Sequence, residues 1–542
     1  MTEPAATPPW PAGWRDAFWA GESSDSGGEP WDVVVVGGGI SGAGVLREAA
    51  HAGLRAVLLE QQDFAAGTSS RSSKLVHGGL RYLATGDWKL TREAVRERQR
   101  LLAEAPGLVN PQRMLVPIYA GGKPRNWEMR IGLRLYDAFA GRRLSYALSP
   151  QATAAQAPGL DAAGLRQAWS FQDADTDDTR LVLRVLRDAR AEGGAALNYA
   201  RVVGLEQHTD GLQRIDVEDA IQQARHRLRA RVVINASGAW AAQVAQSEQY
   251  RGRLRPLRGS HLLVPLWRMP LGPGVSWQHH EDRRNVFVYP WAGVALIGTT
   301  DLDHEEDLQQ EPRATPAEMR YLLDAVNRRF PQLRLRAADV ISTYAGVRPV
   351  VSSGAADPSA ESRESALWVE PGRVTLCGGK LTTFRVAAQQ ALEAARPWLP
   401  GLGRLDANAP IFRPASATAP PARGLRDDAA RQRLQGLYGA AWSRLLAQAD
   451  PAELRPIGSS PHLWAELRWA CAEEAVETLG DLLLRRTRLG LLLPDGAAGV
   501  AESIRRIAQP ALGWDDARWA REYARYREHW QQYHAPPTAE VI

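Results

Sequence analysis

At 542 residues, 44% apolar and 23% charged, the chain can fill two or three domains and has the balance of an ordinary globular protein rather than a disordered or membrane-built one. Two cysteines, Cys377 and Cys471, exclude a disulfide framework, a C-x-x-C pair and a cysteine metal site; this suits a reducing cytoplasm, and no metal is expected. The net charge of +5 comes from dispersed arginines, which argues against nucleic-acid binding, and no window holds the ~18 apolar residues of a membrane span.

Residues 1–30 are rich in Pro, Ala, Gly and Ser, lack the order of a signal peptide and read as a partly disordered lead-in. Asp32-Val-Val-Val-Val36 then predicts a strand buried on both faces. Gly37, Gly39 and Gly42 form G-x-G-x-x-G: a tight turn, a backbone approach to a pyrophosphate, and a close helix–strand contact. The helix from about Ile40 to Ala52 aims its N-terminal amides at that phosphate. Arg55–Leu59 makes a second strand, and Glu60, eighteen residues after Gly42, stands where an acid accepts from ribose hydroxyls. Strand, helix, strand and acid together specify a bound dinucleotide.

Gln61–Arg81 is dense in Gly, Ser, Thr and cations, suited to wrapping a polar ligand. Helices are expected over about Gly86–Ala105, Trp127–Ala140 and Gln172–Arg190, the last with an acidic N-terminus, and a strand over Pro111–Tyr119. Arg231–Asn235 is a further buried strand, ending in a small-residue turn at Gly238 where a ligand can approach. Leu257–Pro265, Val286–Pro290 and Ala295–Thr300 predict an antiparallel sheet, followed by a helix near Thr315–Phe330, strands at Val340–Val350 and Arg373–Cys377, and a loop, Gly378-Gly379-Lys380, opening a helix. The reading is α/β: a Rossmann-like dinucleotide domain (31–108, 168–250 and 341–398) interleaved with an antiparallel-sheet substrate domain (109–167 and 251–340). A Pro/Gly/Ala-rich linker (399–423) leads to a helical C-terminal domain (424–542). One dinucleotide motif, a long polar wrap and a late Gly-Gly-Lys loop favour a resident FAD over an exchanging NAD(P).

Several stretches resemble the aerobic, FAD-linked glycerol-3-phosphate dehydrogenases: GGGISGAG (Gly37–Gly44), TSSRSSKLVHGGLRYL (Thr68–Leu83), INASGAW (Ile234–Trp240), RGSHLLVP (Arg258–Pro265), IGTTD (Ile297–Asp301), YAGVRP (Tyr344–Pro349), CGGKLTTFR (Cys377–Arg385) and LLLRRTRLG (Leu482–Gly490). They stand in family order over roughly 31–530; Arg71 departs from the small residue often found there. The resemblance implies oxidation of sn-glycerol 3-phosphate to dihydroxyacetone phosphate, hydride passing from C2 to flavin N5 and electrons to a membrane quinone. A peripheral protein on the cytoplasmic side of the inner membrane is then expected, with a homodimer allowed for. The alternatives are a glycerol-3-phosphate oxidase using oxygen, an amine- or amino-acid-oxidising flavoenzyme, and a non-catalytic flavin-dependent partner-binding protein.

The residues offer the parts. A phosphate dianion wants guanidinium, for which Arg348, Arg363 and Arg81 are candidates. Lys380 is one of only four lysines among 66 basic residues, so an ammonium between Gly379 and Leu381 points to the flavin edge or a substrate oxygen. His261 is the first choice of base for the C2 hydroxyl, with Tyr82 and Thr383 orienting substrate oxygens. Thr68, Ser69, Ser73, Lys74, His77, Gly79, Gly238, Gly379, Leu381 and Thr382 join Gly37, Gly39, Gly42 and Glu60 as cofactor contacts. Leu254–Leu271 and Leu482–Leu493, apolar with interspersed arginines, are candidate membrane contacts.

Overall fold

A computed structural model describes residues 10–537 except 23–28, 81–82, 84–85, 248–249, 251, 353, 355–360, 362–363, 415–424 and 426–427. Strand Trp31–Val36 lies at the centre of an eight-stranded sheet, parallel to Ala56–Leu59 on one side and Ala224–Asn235 on the other. Its valines pack on both faces, as a β-branched run without polar alternation requires. Helices Ile40–His51, Asp178–Ala191 and Phe384–Ala395 cover one face. The other face is closed by the hairpin Ala200–Gln207/Gln213–Asp219 and by Trp19.

Trp19 belongs to an ordered part of the lead-in. Residues Trp14–Glu22 form a helix, with Trp10 Nε1 donating to the Ala196 carbonyl (3.1 Å) and Arg15 paired with Asp219 (2.9 Å). Three tryptophans and an arginine dock this segment, within a stretch, 1–30, whose Pro/Ala/Gly content reads as partly disordered.

The second sheet has ten strands and mixed order. Strand Leu254–Pro265 pairs with both Val294–Gly298 and Ser342–Val351. Leu262 and Val264 face the helix Pro316–Arg329; Leu263 joins Tyr344 in the core that the C-terminal domain completes. Two expected boundaries move. Residues 165–176 form a strand paired along Val109–Tyr119, so 172–176 is not helix, and 168–176 and 342–351 belong to this second sheet. The acids Asp173 and Asp175 alternate along that strand rather than capping a helix; the cap is Asp177, which accepts from the amides of Thr179 and Arg180.

The early linker is also ordered: Leu399, Leu402, Ile411 and Phe412 are buried against the first core. The C-terminal domain is helical, with its main helices at Asp428–Tyr438, Trp464–Glu473, Ala501–Ala511 and Asp516–Tyr533. No described helix is long and apolar enough to cross a membrane.

Leu482–Leu493 is not a membrane face. Its leucines are buried, and its arginines dock this domain onto the first. Arg486 makes a bidentate pair with Asp63 (2.5 and 2.7 Å), Arg485 joins the same carboxylate, and Arg488 bonds Asp177 and Asp178. In the reverse direction Glu474 takes Arg180 and Arg187, each at 2.6 Å. The other stretch, Leu254–Leu271, is mostly buried strand, leaving Trp267 82% exposed at its end.

Candidate active site

The first turn is crowded so that only glycine fits. Gly37 has φ +109°, and a Cβ there would lie 2.7 Å from the Ala236 carbonyl oxygen. A Cβ on Gly42 would lie 1.9 Å from the Gly37 carbonyl oxygen, so the helix rests directly on the strand end. Glu60 closes the turn, accepting from the amides of Gly38 (2.6 Å) and Gln62 (2.8 Å). Burial raises its pKa, opposed by those two amides. Ser69 Oγ accepts from Ile40 N at 2.9 Å, fixing the polar wrap to the helix N-terminus.

Along this turn runs a cleft of about 1130 Å³. It brings together Gly37, Gly39, Glu60, Thr68, Ser69, Gly238, Gly379, Lys380 and Leu381 from four separate stretches of chain. Ser72, Ser237 and Trp240 line it too. They stand inside quoted motifs, and their position next to assigned residues was the available signal.

Other expected contacts sit apart from the cleft lining. Lys74 is fully buried, its Nζ donating to Asp178 Oδ1 (2.9 Å) and the Ser70 carbonyl (3.0 Å) beneath the rings of Trp291 and Tyr344. Burial, then Arg488, lowers its pKa to about 8. The Lys74 side chain therefore braces the wrap from behind as a buried ion-pair partner of Asp178, outside the cleft lining. His77 contributes its carbonyl, which accepts from Thr382 Oγ1 (3.1 Å) and ties the wrap to the late loop. Gly79, at φ +75°, and Thr383, buried at the start of helix Phe384–Ala395, also lie outside the lining. Arg81, Tyr82 and Arg363 lie outside the described residues.

The second sheet meets the wrap through His261. This residue is fully buried, its Nε2 lies 2.9 Å from Ser73 Oγ, and its ring stacks on Tyr344 at 4.7 Å between centroids. Nδ1 is buried without a hydrogen-bond partner. Burial, followed by the charges of Arg348 and Lys74, pushes the imidazole pKa well below its ordinary value, so the ring is neutral. Tyr344 and Tyr289 donate to the carbonyls of Ser72 (2.9 Å) and Ser73 (2.7 Å), clamping the same loop.

Arg348 lies on the same face as His261 and Tyr344. Strand pairing sets Leu257 opposite Arg348 and His261 opposite Tyr344, and the period of two keeps all of them on one side. Its guanidinium donates to Asp301 Oδ1 and Thr299 Oγ1, both at 3.1 Å. It lies over Gly259, where a Cβ would come within 2.3 Å of Nη2. Tyr344, Thr299 and Asp301 had no role assigned from sequence, although Tyr344 and Arg348, four apart in a strand, must share a face.

Residues 32–389 match the family described as FAD dependent oxidoreductase, and 373–519 the C-terminal domain of alpha-glycerophosphate oxidase. The aerobic glycerol-3-phosphate dehydrogenase of Staphylococcus saprophyticus is 31% identical over 90% of this chain and 92% of that protein. The enzyme of the same name from Bacillus subtilis is 33% identical over 84% and 87%. The glycerol-3-phosphate dehydrogenase from Bacillus halodurans, solved with FAD, superposes with a TM-score of 0.74 at 27% identity, covering 96% of this chain and 97% of that one. The L-alpha-glycerophosphate oxidase of Mycoplasma pneumoniae shares the fold, with a TM-score of 0.54, 18% identity and coverage of 71% and 99%. The glycine-only turn, the Glu60 clasp and a cleft continuing to Lys380 fit a cofactor of FAD's length.

Proposed function

The chain belongs to the aerobic, FAD-linked glycerol-3-phosphate dehydrogenases, a branch of the FAD-dependent oxidoreductases, and from that premise we propose how its residues oxidise sn-glycerol 3-phosphate to dihydroxyacetone phosphate and where the electrons go. Bound FAD supplies a two-electron acceptor for the hydrogen on C2. The neutral imidazole of His261 takes the C2 hydroxyl proton at its unengaged Nδ1. Arg348, held by Asp301 and Thr299, presents a fixed guanidinium to the phosphate. Lys380 brings a compact ammonium into the cleft to balance negative charge as the substrate is oxidised.

The observation that carries this reading is the placement of His261 and Arg348 on one sheet face, joined to the cofactor wrap through Ser73. Anaerobic addition of glycerol 3-phosphate to purified holoprotein is expected to bleach the flavin absorbance, and a quinone analogue to restore it. Stoichiometric hydrogen peroxide in air with no response to quinone would replace the quinone by oxygen; a flavin that never bleaches would end the enzymatic reading.

The acceptor places the protein at the inner-membrane surface. Support comes from helix Asn126–Ala140, which exposes Trp127 (57%) and Ile131 (54%) beside an open hollow lined by Arg130, Arg134, Arg142 and Arg143. Apolar side chains flanked by cations suit an anionic lipid interface. Flotation with phosphatidylglycerol vesicles is expected to carry the protein and to fail for Trp127→Glu/Ile131→Glu; equal flotation would reject this face.

A further inference from the structure

Arg71, the departure noted in the wrap, leads to a cluster outside the active site. Its guanidinium bonds Glu311 Oε2 at 2.7 Å, and Glu311 in turn meets two histidines from the end of the chain. His529 Nε2 lies 3.1 Å from Oε2, and His534 Nε2 lies 3.2 Å from Oε1. All three ligand atoms fall within 4.8 Å of one another. Around a cation with bonds near 2.0–2.2 Å, tetrahedral edges measure about 3.3 Å, close to the 3.2 Å between His534 Nε2 and Glu311 Oε1.

Two further features point to a cation. His534 Nδ1 lies 3.1 Å from the Thr343 carbonyl oxygen. A carbonyl can only accept, so Nδ1 carries the proton, which aims Nε2, the nitrogen free to bind a metal, at the carboxylate. Glu311 Oε1, facing that nitrogen at 3.2 Å, is buried and has no hydrogen-bond partner other than it. An imidazole nitrogen and a carboxylate oxygen this close in a buried site call for a positive centre between them, a proton or a metal ion. Arg71 occupies the other oxygen, which leaves Oε1 as the ligand and orients it, as outer partners of metal carboxylates do. Glu311 and His529 also line a hollow of about 1110 Å³, which gives an entry path and room for a water in the open position.

We propose that Glu311, His529 and His534 form a binding site for a borderline divalent cation, zinc foremost, against the expectation of no metal. Two imidazoles and one carboxylate suit zinc and its first-row neighbours better than calcium or magnesium. The site joins the end of helix Asp516–Tyr533 to Arg71, and hence the C-terminal domain to the cofactor wrap. Its role is structural, and it is independent of the reaction assigned above.

The test uses FAD-loaded full-length protein stripped with a chelator and titrated with zinc chloride. One equivalent is expected to be retained after desalting and to raise the melting temperature, and cobalt is expected to give the visible bands of a low-coordinate site. His529→Gln, at a position 34% exposed and tolerant of change, and His534→Gln are each expected to weaken binding by ~100-fold or more with flavin absorbance intact. His280→Ala serves as control, because His279, His280 and Asp324 form a second, more exposed cluster. No retained equivalent, or retention lost in His280→Ala but kept in His529→Gln, would overturn the proposal.

Discussion

His261 owes its chemistry to what surrounds it. Enclosed by Tyr344, Ser73 and the bare backbone of Gly298, where a Cβ would lie 2.4 Å from Cδ2, it stays neutral under conditions that would protonate an exposed histidine. His261→Gln is expected to lower kcat by about 10²–10⁴ while FAD stays bound; unchanged turnover would remove it as the base. The same burial has a cost in acid. The folded-state pKa is depressed, so below about pH 6.5 the unfolded chain binds a proton that the folded chain refuses, and stability falls until the folded pKa is reached. Melting temperature should therefore drop less steeply between pH 6.5 and 5 in His261→Gln than in the parent. At Lys74 the rarity of lysine was a good signal of importance but could not separate a cofactor contact from a buried partner of Asp178, since both need a cation that arginine does not replace.

Strand pairing does the work of positioning Arg348. Its guanidinium lies flat because Gly259 on the neighbouring strand has no side chain, and Gly259→Ala would put a methyl 2.3 Å from Nη2. KM for glycerol 3-phosphate is expected to rise at least ~10-fold, as for Arg348→Ala, with the flavin spectrum unchanged; an unaltered KM in both would take Arg348 out of the phosphate pocket. Much of this was readable, because RGSH and YAGVRP alternate with a period of two and each motif puts its glycine and its charged or aromatic residue on one face. The dinucleotide turn was readable for the same kind of reason: strand, glycines, helix and acid are local. The strand at 165–176 was not, since its pairing with 109–119 is a long-range contact and its acids imitate a helix start.

Across the whole molecule, ion pairs decide how the parts fit, and these were the least legible. LLLRRTRLG reads as an amphipathic surface run because nothing local announces Asp63, Asp177 and Asp178. Although burial alone would raise it, Arg486 and Arg485 hold the Asp63 pKa down to about 2. The double change Arg485→Met/Arg486→Met, which strips both guanidinium partners from that buried carboxylate, is expected to destabilise the protein by about 3–5 kcal/mol in denaturant unfolding; a loss under ~1 kcal/mol would mean that the pairing is dispensable. Asp63 stands three residues after Glu60, yet its partners Arg485 and Arg486 lie 422 and 423 positions downstream. On the ribosome those arginines are made after the whole of the dinucleotide domain. The dinucleotide domain emerges before the cations that compensate the carboxylate beneath its binding turn, so cofactor capture waits for the segment that carries Arg485 and Arg486, and a nascent chain arrested at the proline-rich segment should not retain flavin.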